Sequence, residues 1–120
     1  MTKTKITVVG SGYVGMSLAV LLAQHNDVVV LDIDPVRVNM INNKQSTVVD
    51  STIESFFSEK DLSLRATLNK KEAYSAAKFV VIATPTDYDA SNNAFNTSTV
   101  EAVIQEVIAI SPQSIMVIKS

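Results

Sequence analysis

The 120-residue chain is 47% apolar and 18% charged, with a net charge of -2, which excludes a disordered segment and a general nucleic-acid binder with a basic face. It contains no cysteine, so disulfide, thiolate-metal and cysteine-nucleophile chemistry are excluded within it. No apolar run reaches the roughly 18 residues of a membrane span, and the start "MTKTKITVVGSG" has no secretory h-region; the expectation is a cytoplasmic α/β domain with small-molecule partners, no nucleic acid and no membrane.

Ile6 to Val9 is a short β-branched run, read as a buried strand. "YVGMSLAVLLAQ", Tyr13 to Gln24, is apolar nearly all round and is read as a buried helix. After the turn "HND", Val28 to Leu31 is a second buried strand, which completes one right-handed βαβ unit. Asp34-Pro35 starts a helix, with Asp as cap and Pro at the first helical position; Val38 and Ile41 form its inner face. Ser51 to Glu54 reads as a capping box opening a short helix. Leu64 to Asn69 is a strand candidate, and Asn69 to Glu72 caps a helix ending near Ala77. Phe79 to Ala83 is a strong buried strand. Ser98 to Glu101 is a second capping box, followed by an inner face of Val100, Val103, Ile104, Val107 and Ile108. Ser111-Pro112 stops that helix, and "SIMVIKS" is a final buried strand. Alternating units of this kind predict a Rossmann-like doubly wound parallel sheet with helices on both faces and strand order 3-2-1-4-5. A chain that stops at Ser120, at the tip of a strand expected to be buried, is expected to be an excised fragment, residues 1–120 of an N-terminal domain, or the first domain of a longer protein.

The sharpest signal is "GSGYVG". All three glycines of the chain, Gly10, Gly12 and Gly15, lie in these six residues. After a strand and before a helix, the three have separate tasks. Gly10 permits the sharp turn, Gly12 leaves room for a pyrophosphate, and Gly15 lets the helix pack closely on the sheet. Unpaired N–H groups at the helix start then receive the anion. Asp32 ends the second strand 17 residues after Gly15, near the spacing of a carboxylate that binds an adenosine ribose. Such a carboxylate favours NAD over NADP, because it repels a 2′-phosphate. Arg37, one turn into the next helix, is within reach of a phosphate, but is expected along the adenine or ribose edge.

Other polar residues carry less. The loop "ATPTDYDASNNAFNTST" leaves the carboxyl end of a strand, where Thr84 and Thr86 can offer hydroxyls to a ribose or phosphate. Asp87 and Asp89 read as solvated rather than as metal ligands, and Tyr88 and Phe95 as loop anchors. His25 follows a helix whose last carbonyls it can bond. Met16, Met40 and Met116 read as core filler, and Lys60, Lys70 and Lys71 as solvated surface. No metal site is expected.

Three stretches, "ITVVGSGYVGMSLAVLLAQHNDVVVLDIDPVRVNMINNKQSTVVD", "FVVIATPTDYDASNNAFNTSTVEAVI" and "SIMVIKS", together resemble the UDP-glucose/GDP-mannose dehydrogenase family over essentially the whole chain, and within it the branch that oxidises UDP-glucose. The pattern "GxGYVG…LDID…ATPT" is more specific than the glycines alone. The resemblance implies a cytoplasmic oxidoreductase that converts the C6 alcohol of UDP-glucose to UDP-glucuronate with two NAD. It places cofactor contacts at Gly10, Gly12, Tyr13, Val14, Gly15, Asp32, Arg37 and Thr86. It also places the catalytic residues, the sugar-nucleotide contacts and a homodimer interface beyond residue 120, so the fragment alone is expected to be inactive. Two alternatives stand beside it. One is a related dehydrogenase of UDP-N-acetylhexosamine or GDP-mannose. The other is a regulatory nucleotide-sensing Rossmann domain, which would not require the "ATPTDYD" loop.

Overall fold

The computed structural model describes residues 4–84, 87–89, 94–96 and 98–119. In chain order the elements are β1 (Lys5–Val9), α1 (Tyr13–Leu22), β2 (Asp27–Leu31), α2 (Pro35–Asn42), α3 (Ser51–Glu59), β3 (Leu64–Thr67) and α4 (Lys70–Tyr74). There follow β4 (Phe79–Ile82), β5 (Asp87–Asp89), β6 (Ala94–Asn96), α5 (Ser98–Ile110) and β7 (Ile115–Ile118). Five strands form one sheet in the order β3-β2-β1-β4-β7, with every neighbouring pair parallel. This is the expected 3-2-1-4-5 order. The stretch expected to be a loop adds a small antiparallel pair, with Tyr88 opposite Phe95 in backbone register.

Strand side chains alternate between two cores, as a period of two demands. Ile6 and Val8, Val28 and Val30, and Val81 point to one face. There they meet Met16, Ala19 and Val20 of α1, Val38 and Ile41 of α2, and Ile53 of α3. Val9, Val29, Leu31, Val80 and Ile82 point to the other face, against Ala73 and Tyr74 of α4 and Val100, Val103 and Val107 of α5. The helix α4 is also tied by polar groups to β1, the central strand of the sheet. Lys5 Nζ donates to the carbonyls of Glu72 (2.8 Å) and Ser75 (2.6 Å), and the buried Thr7 hydroxyl donates to the Ala73 carbonyl. Burial and the nearby Arg65 guanidinium lower the Lys5 pKa.

Several local expectations are corrected. The cap of α3 is Asp50, whose carboxylate accepts from the Ile53 N–H at 3.0 Å, and not Ser51. Aspartate accepts more strongly than a hydroxyl, so the cap falls one residue earlier. The helix α1 ends at Leu22 instead of Gln24. The Ala23 carbonyl is taken by the Ser63 N–H, and the side chain that bonds the Leu22 carbonyl is Asn26, not His25. This helix is not buried all round, because Tyr13, Val14 and Leu21 remain exposed. The helix α4 ends at Tyr74, before Ala76 turns to a positive φ of 61°. Ile108, expected on the inner face of α5, is exposed. The strand β7 is an edge strand rather than a buried one, with Ile115 and Ile118 each more than half exposed. Met40 lies half-buried outside both cores, whereas Met16 is fully buried. The capping-box side chain of Ser98 lies outside the described residues.

Met16 fills the first core with no exposure, so Met16→Ala is expected to lower the unfolding free energy by about 2–5 kcal/mol. Urea denaturation followed by circular dichroism measures it; a loss under about 1 kcal/mol would contradict the packing described.

Candidate functional site

The carboxyl ends of four parallel strands open into one cleft of about 500 Å³. Val9 and Gly10 reach it from β1, Leu31 and Asp32 from β2, Leu68 from β3 and Thr84 from β4. One wall is Lys70 and Tyr74 of α4 with Ala102, Val103 and Glu106 of α5; the other includes Ser11, Asp34 and Arg37. A smaller cavity of about 340 Å³, lined by Lys5, Asp27, Ser63 and Arg65, lies at the amino ends of the strands. Doubly wound sheets bind ligands at the carboxyl ends, which selects the larger cleft.

The three glycines differ in what they need. Gly10 has φ +103°, and a Cβ there would come within 3.0 Å of the Ala83 carbonyl oxygen. A Cβ on Gly15 would lie 2.1 Å from the Gly10 carbonyl oxygen. These two are required by the fold itself. Gly12 is not: its φ of -75° and ψ of -169° suit any residue, and nothing lies within 4 Å of the position its Cβ would take. Gly12 is the N-cap of α1 and no side chain caps that helix, whereas Asp34, Asp50 and Asn69 cap α2, α3 and α4. The N–H groups of the first turn of α1 are therefore left for another partner.

Asp32 is held rigidly. Its Oδ2 accepts from the Ser11 N–H (3.0 Å) and the Ser11 hydroxyl (2.6 Å), and its Oδ1 accepts from the Asp34 N–H (3.0 Å). Ser11 is buried, and its carbonyl accepts from the Thr47 hydroxyl at 2.6 Å. The Arg37 guanidinium reaches the Ser11 hydroxyl at 3.4 Å and lies 3.9 Å from Asp34. Two donors already fill the lone pairs of Oδ2, so Oδ1 is the oxygen with a lone pair to spare. On the opposite wall Lys70 Nζ donates to Glu106 Oε1 at 2.8 Å. Burial, and then the Glu106 charge, raise the pKa of the Tyr74 phenol; it makes no hydrogen bond of normal length. Among the described residues, two buried side-chain polar atoms have no partner, Tyr74 Oη and Thr84 Oγ1, and both residues line this cleft.

The structure thus brings Gly10, Asp32 and Arg37 together in the cleft, with Gly12, Tyr13, Val14 and Gly15 at the adjoining helix turn. Tyr13 and Val14 expose their side chains at the start of α1, where the first-turn N–H groups also lie. Thr86 lies outside the described residues. Sequence reasoning missed Ser11 and Glu106; Lys70 is exposed, as expected, and also borders the cleft. Ser11 carries a weak signal, a small polar residue between two glycines. Glu106 and Lys70 carry none, because their meeting depends on how α4 and α5 pack.

A glycine turn from strand to helix, an uncapped helix start and a carboxylate at the end of the neighbouring strand define a dinucleotide-binding domain of the doubly wound class. Residues 4–120 match the family model for the NAD binding domain of the UDP-glucose/GDP-mannose dehydrogenase family. The chain belongs to this family, and its cofactor is NAD. It is similar to the UDP-glucose 6-dehydrogenase of Streptococcus pneumoniae, 47% identical over 116 residues, which are 97% of this chain and 29% of that protein. It is likewise 46% identical over 118 residues to the UDP-glucose 6-dehydrogenase of Campylobacter jejuni, covering 97% of this chain and 30% of that protein. The chain therefore spans under a third of the length of these relatives. Among solved structures, a UDP-glucose dehydrogenase from Pyrobaculum islandicum superposes with a TM-score of 0.83 at 24% identity, over 98% of this chain and 29% of that one. A GDP-mannose dehydrogenase from Pseudomonas aeruginosa gives 0.83 at 22% identity, over 96% of this chain and 28% of that one. At these identities the two structures establish the fold.

The glycine geometry separates two substitutions. Gly15→Ala is expected to cost about 3 kcal/mol or more of stability through its clash with backbone, and Gly12→Ala about 1 kcal/mol or less. Thermal unfolding of the pair measures this, and equal losses would contradict the assignment.

Proposed function

We propose that Gly10, Gly12, Tyr13, Val14, Gly15, Asp32, Arg37 and Thr86 hold NAD, and that the protein bearing this chain oxidises UDP-glucose at C6 to UDP-glucuronate, reducing two NAD. The observation that carries the cofactor half is the open space at Gly12, whose missing side chain serves nothing inside the fold. The NAD pyrophosphate fits that space, accepting hydrogen bonds from the N–H groups of the first turn of α1. Asp32 Oδ1, with its remaining lone pair, accepts from a ribose hydroxyl. Thr84 Oγ1, buried and unpartnered beside Gly10, adds a hydroxyl to this set. Bound NAD supplies the hydride acceptor; these residues position it and exclude a 2′-phosphate by charge.

The substrate half rests on the two relatives at 47% and 46% identity, both of which carry that activity in their names. In this reading the catalytic groups and the homodimer contacts belong to parts of the protein outside these residues, the isolated segment turns nothing over, and the enzyme is cytoplasmic.

Turnover by the product of the full reading frame, followed by NADH absorbance, tests the reading. Two NADH per UDP-glucose, with little signal from UDP-N-acetylglucosamine, GDP-mannose or NADP, supports it. Turnover of another sugar nucleotide moves the protein to a related dehydrogenase, and NAD binding without any turnover favours a nucleotide-sensing domain.

Two variants test the site. Asp32→Ala is expected to weaken NAD binding at least about tenfold, consistent with a lost charged hydrogen bond of about 1.5–3 kcal/mol, and to relax discrimination against NADP. Unchanged affinity and preference, measured by calorimetry, would remove the ribose role. Gly12→Val is expected to remain folded and lose NAD binding; a folded variant with native affinity would overturn the pyrophosphate placement.

A further inference from the structure

The wall formed by α4 and α5 holds a charged pair that the reading above does not use. Lys70 and Glu106 come from different helices, 36 residues apart, and meet at 2.8 Å on the border of the cleft. Glu106 is the more covered of the two, with its side chain 29% exposed against 51% for Lys70. Beneath them the fully buried Tyr74 hydroxyl makes no hydrogen bond of normal length and lies under the influence of the Glu106 carboxylate. Burial, and then Glu106, raise its pKa, so it stays protonated and holds a donor next to the carboxylate. Ile33 and Leu68, both exposed and both lining the same cleft, offer apolar surface for the faces of a flat ring. A slot with apolar faces and one acceptor beside one donor at its wall suits a heterocyclic base whose edge carries a donor beside an acceptor.

We propose that Glu106 and Lys70 read the edge of the adenine base. Glu106 Oε1 keeps the Lys70 proton, and Glu106 Oε2 accepts a hydrogen bond from the adenine N6 amino group. Lys70 Nζ, which has three donors, gives another to the ring nitrogen beside that group. The proposal rests on NAD occupying this cleft with its adenosine ribose on Asp32, which sets the order in which the base meets the two side chains. Hypoxanthine reverses the match. Whichever ring nitrogen takes the lysine proton, its O6 stands opposite a carboxylate, and two acceptors repel. Glu106 is therefore a specificity-determining residue for the base and Lys70 its positioning partner.

The test compares equilibrium binding of NAD and nicotinamide hypoxanthine dinucleotide to the protein expressed from its full reading frame. The expected result is a preference for NAD of at least about tenfold, in line with a paired base contact. Glu106→Leu is expected to reduce that preference to near unity, mainly through weaker NAD binding, while the NAD-over-NADP preference set at Asp32 is unchanged. Equal binding of the two dinucleotides by the unaltered protein would overturn the proposal while leaving the cofactor reading intact; failure to bind NAD at all would overturn both. A folded Glu106→Leu variant, checked by circular dichroism, that keeps the native preference would also overturn it. Should that variant not fold, the comparison on the unaltered protein still decides.

Discussion

The first turn of α1 sits so close to the end of β1 that no methyl group fits between them. A Cβ on Gly15 would lie 2.1 Å from the Gly10 oxygen, well inside van der Waals contact. That approach fixes where α1 starts and therefore where its unpaired N–H groups lie. It also sets Met16, Ala19 and Val20 against the strands, so the first core and the site share one origin. The turn cannot relax to admit a side chain, since Gly10 itself is held at φ +103° against the Ala83 carbonyl. Backbone at this density is insensitive to most of the surface and acutely sensitive to two atoms.

Asp32 ties the neighbouring strand to the same turn. Its two hydrogen bonds to Ser11 join the end of β2 to the loop after β1, and the bond from Thr47 to the Ser11 carbonyl brings the α2–α3 connection onto the same residue. The carboxylate therefore has a structural task as well as the ligand contact proposed for it. A charge in this position is held by three donors, so its orientation is set before any ligand arrives. The preorganisation lowers the ordering cost of binding. Arg37 stands over the same group, but its exposed partnership with Asp34 is of the kind that contributes little to stability.

Much of this was legible in the residues. The strand order followed from alternating buried runs and helical patterns, and the place of the candidate cleft from three glycines and one aspartate at fixed spacing. The errors were of two kinds. At caps and helix ends, such as Asp50 in place of Ser51 and Leu22 in place of Gln24, neighbouring residues compete for the same few backbone groups by a fraction of a kcal/mol. On faces, as with Ile108, Leu21 and β7, an apolar side chain was assumed to be covered when nothing among the described residues covers it.

By itself the sequence determined the doubly wound class, the central strands, the place of the turn and the identity of the groups at it. These depend on short-range rules: side-chain periodicity along a strand or helix, and the dihedral freedom of a glycine. Tertiary structure decided which of those groups share a surface. It showed that Gly12 is unconstrained by the protein while Gly10 and Gly15 are not, that Asp32 has one oxygen committed to Ser11, and that Lys70 and Glu106 meet across two helices. Contacts between residues far apart in the chain follow from how helices pack on a twisted sheet, and no local pattern encodes that geometry.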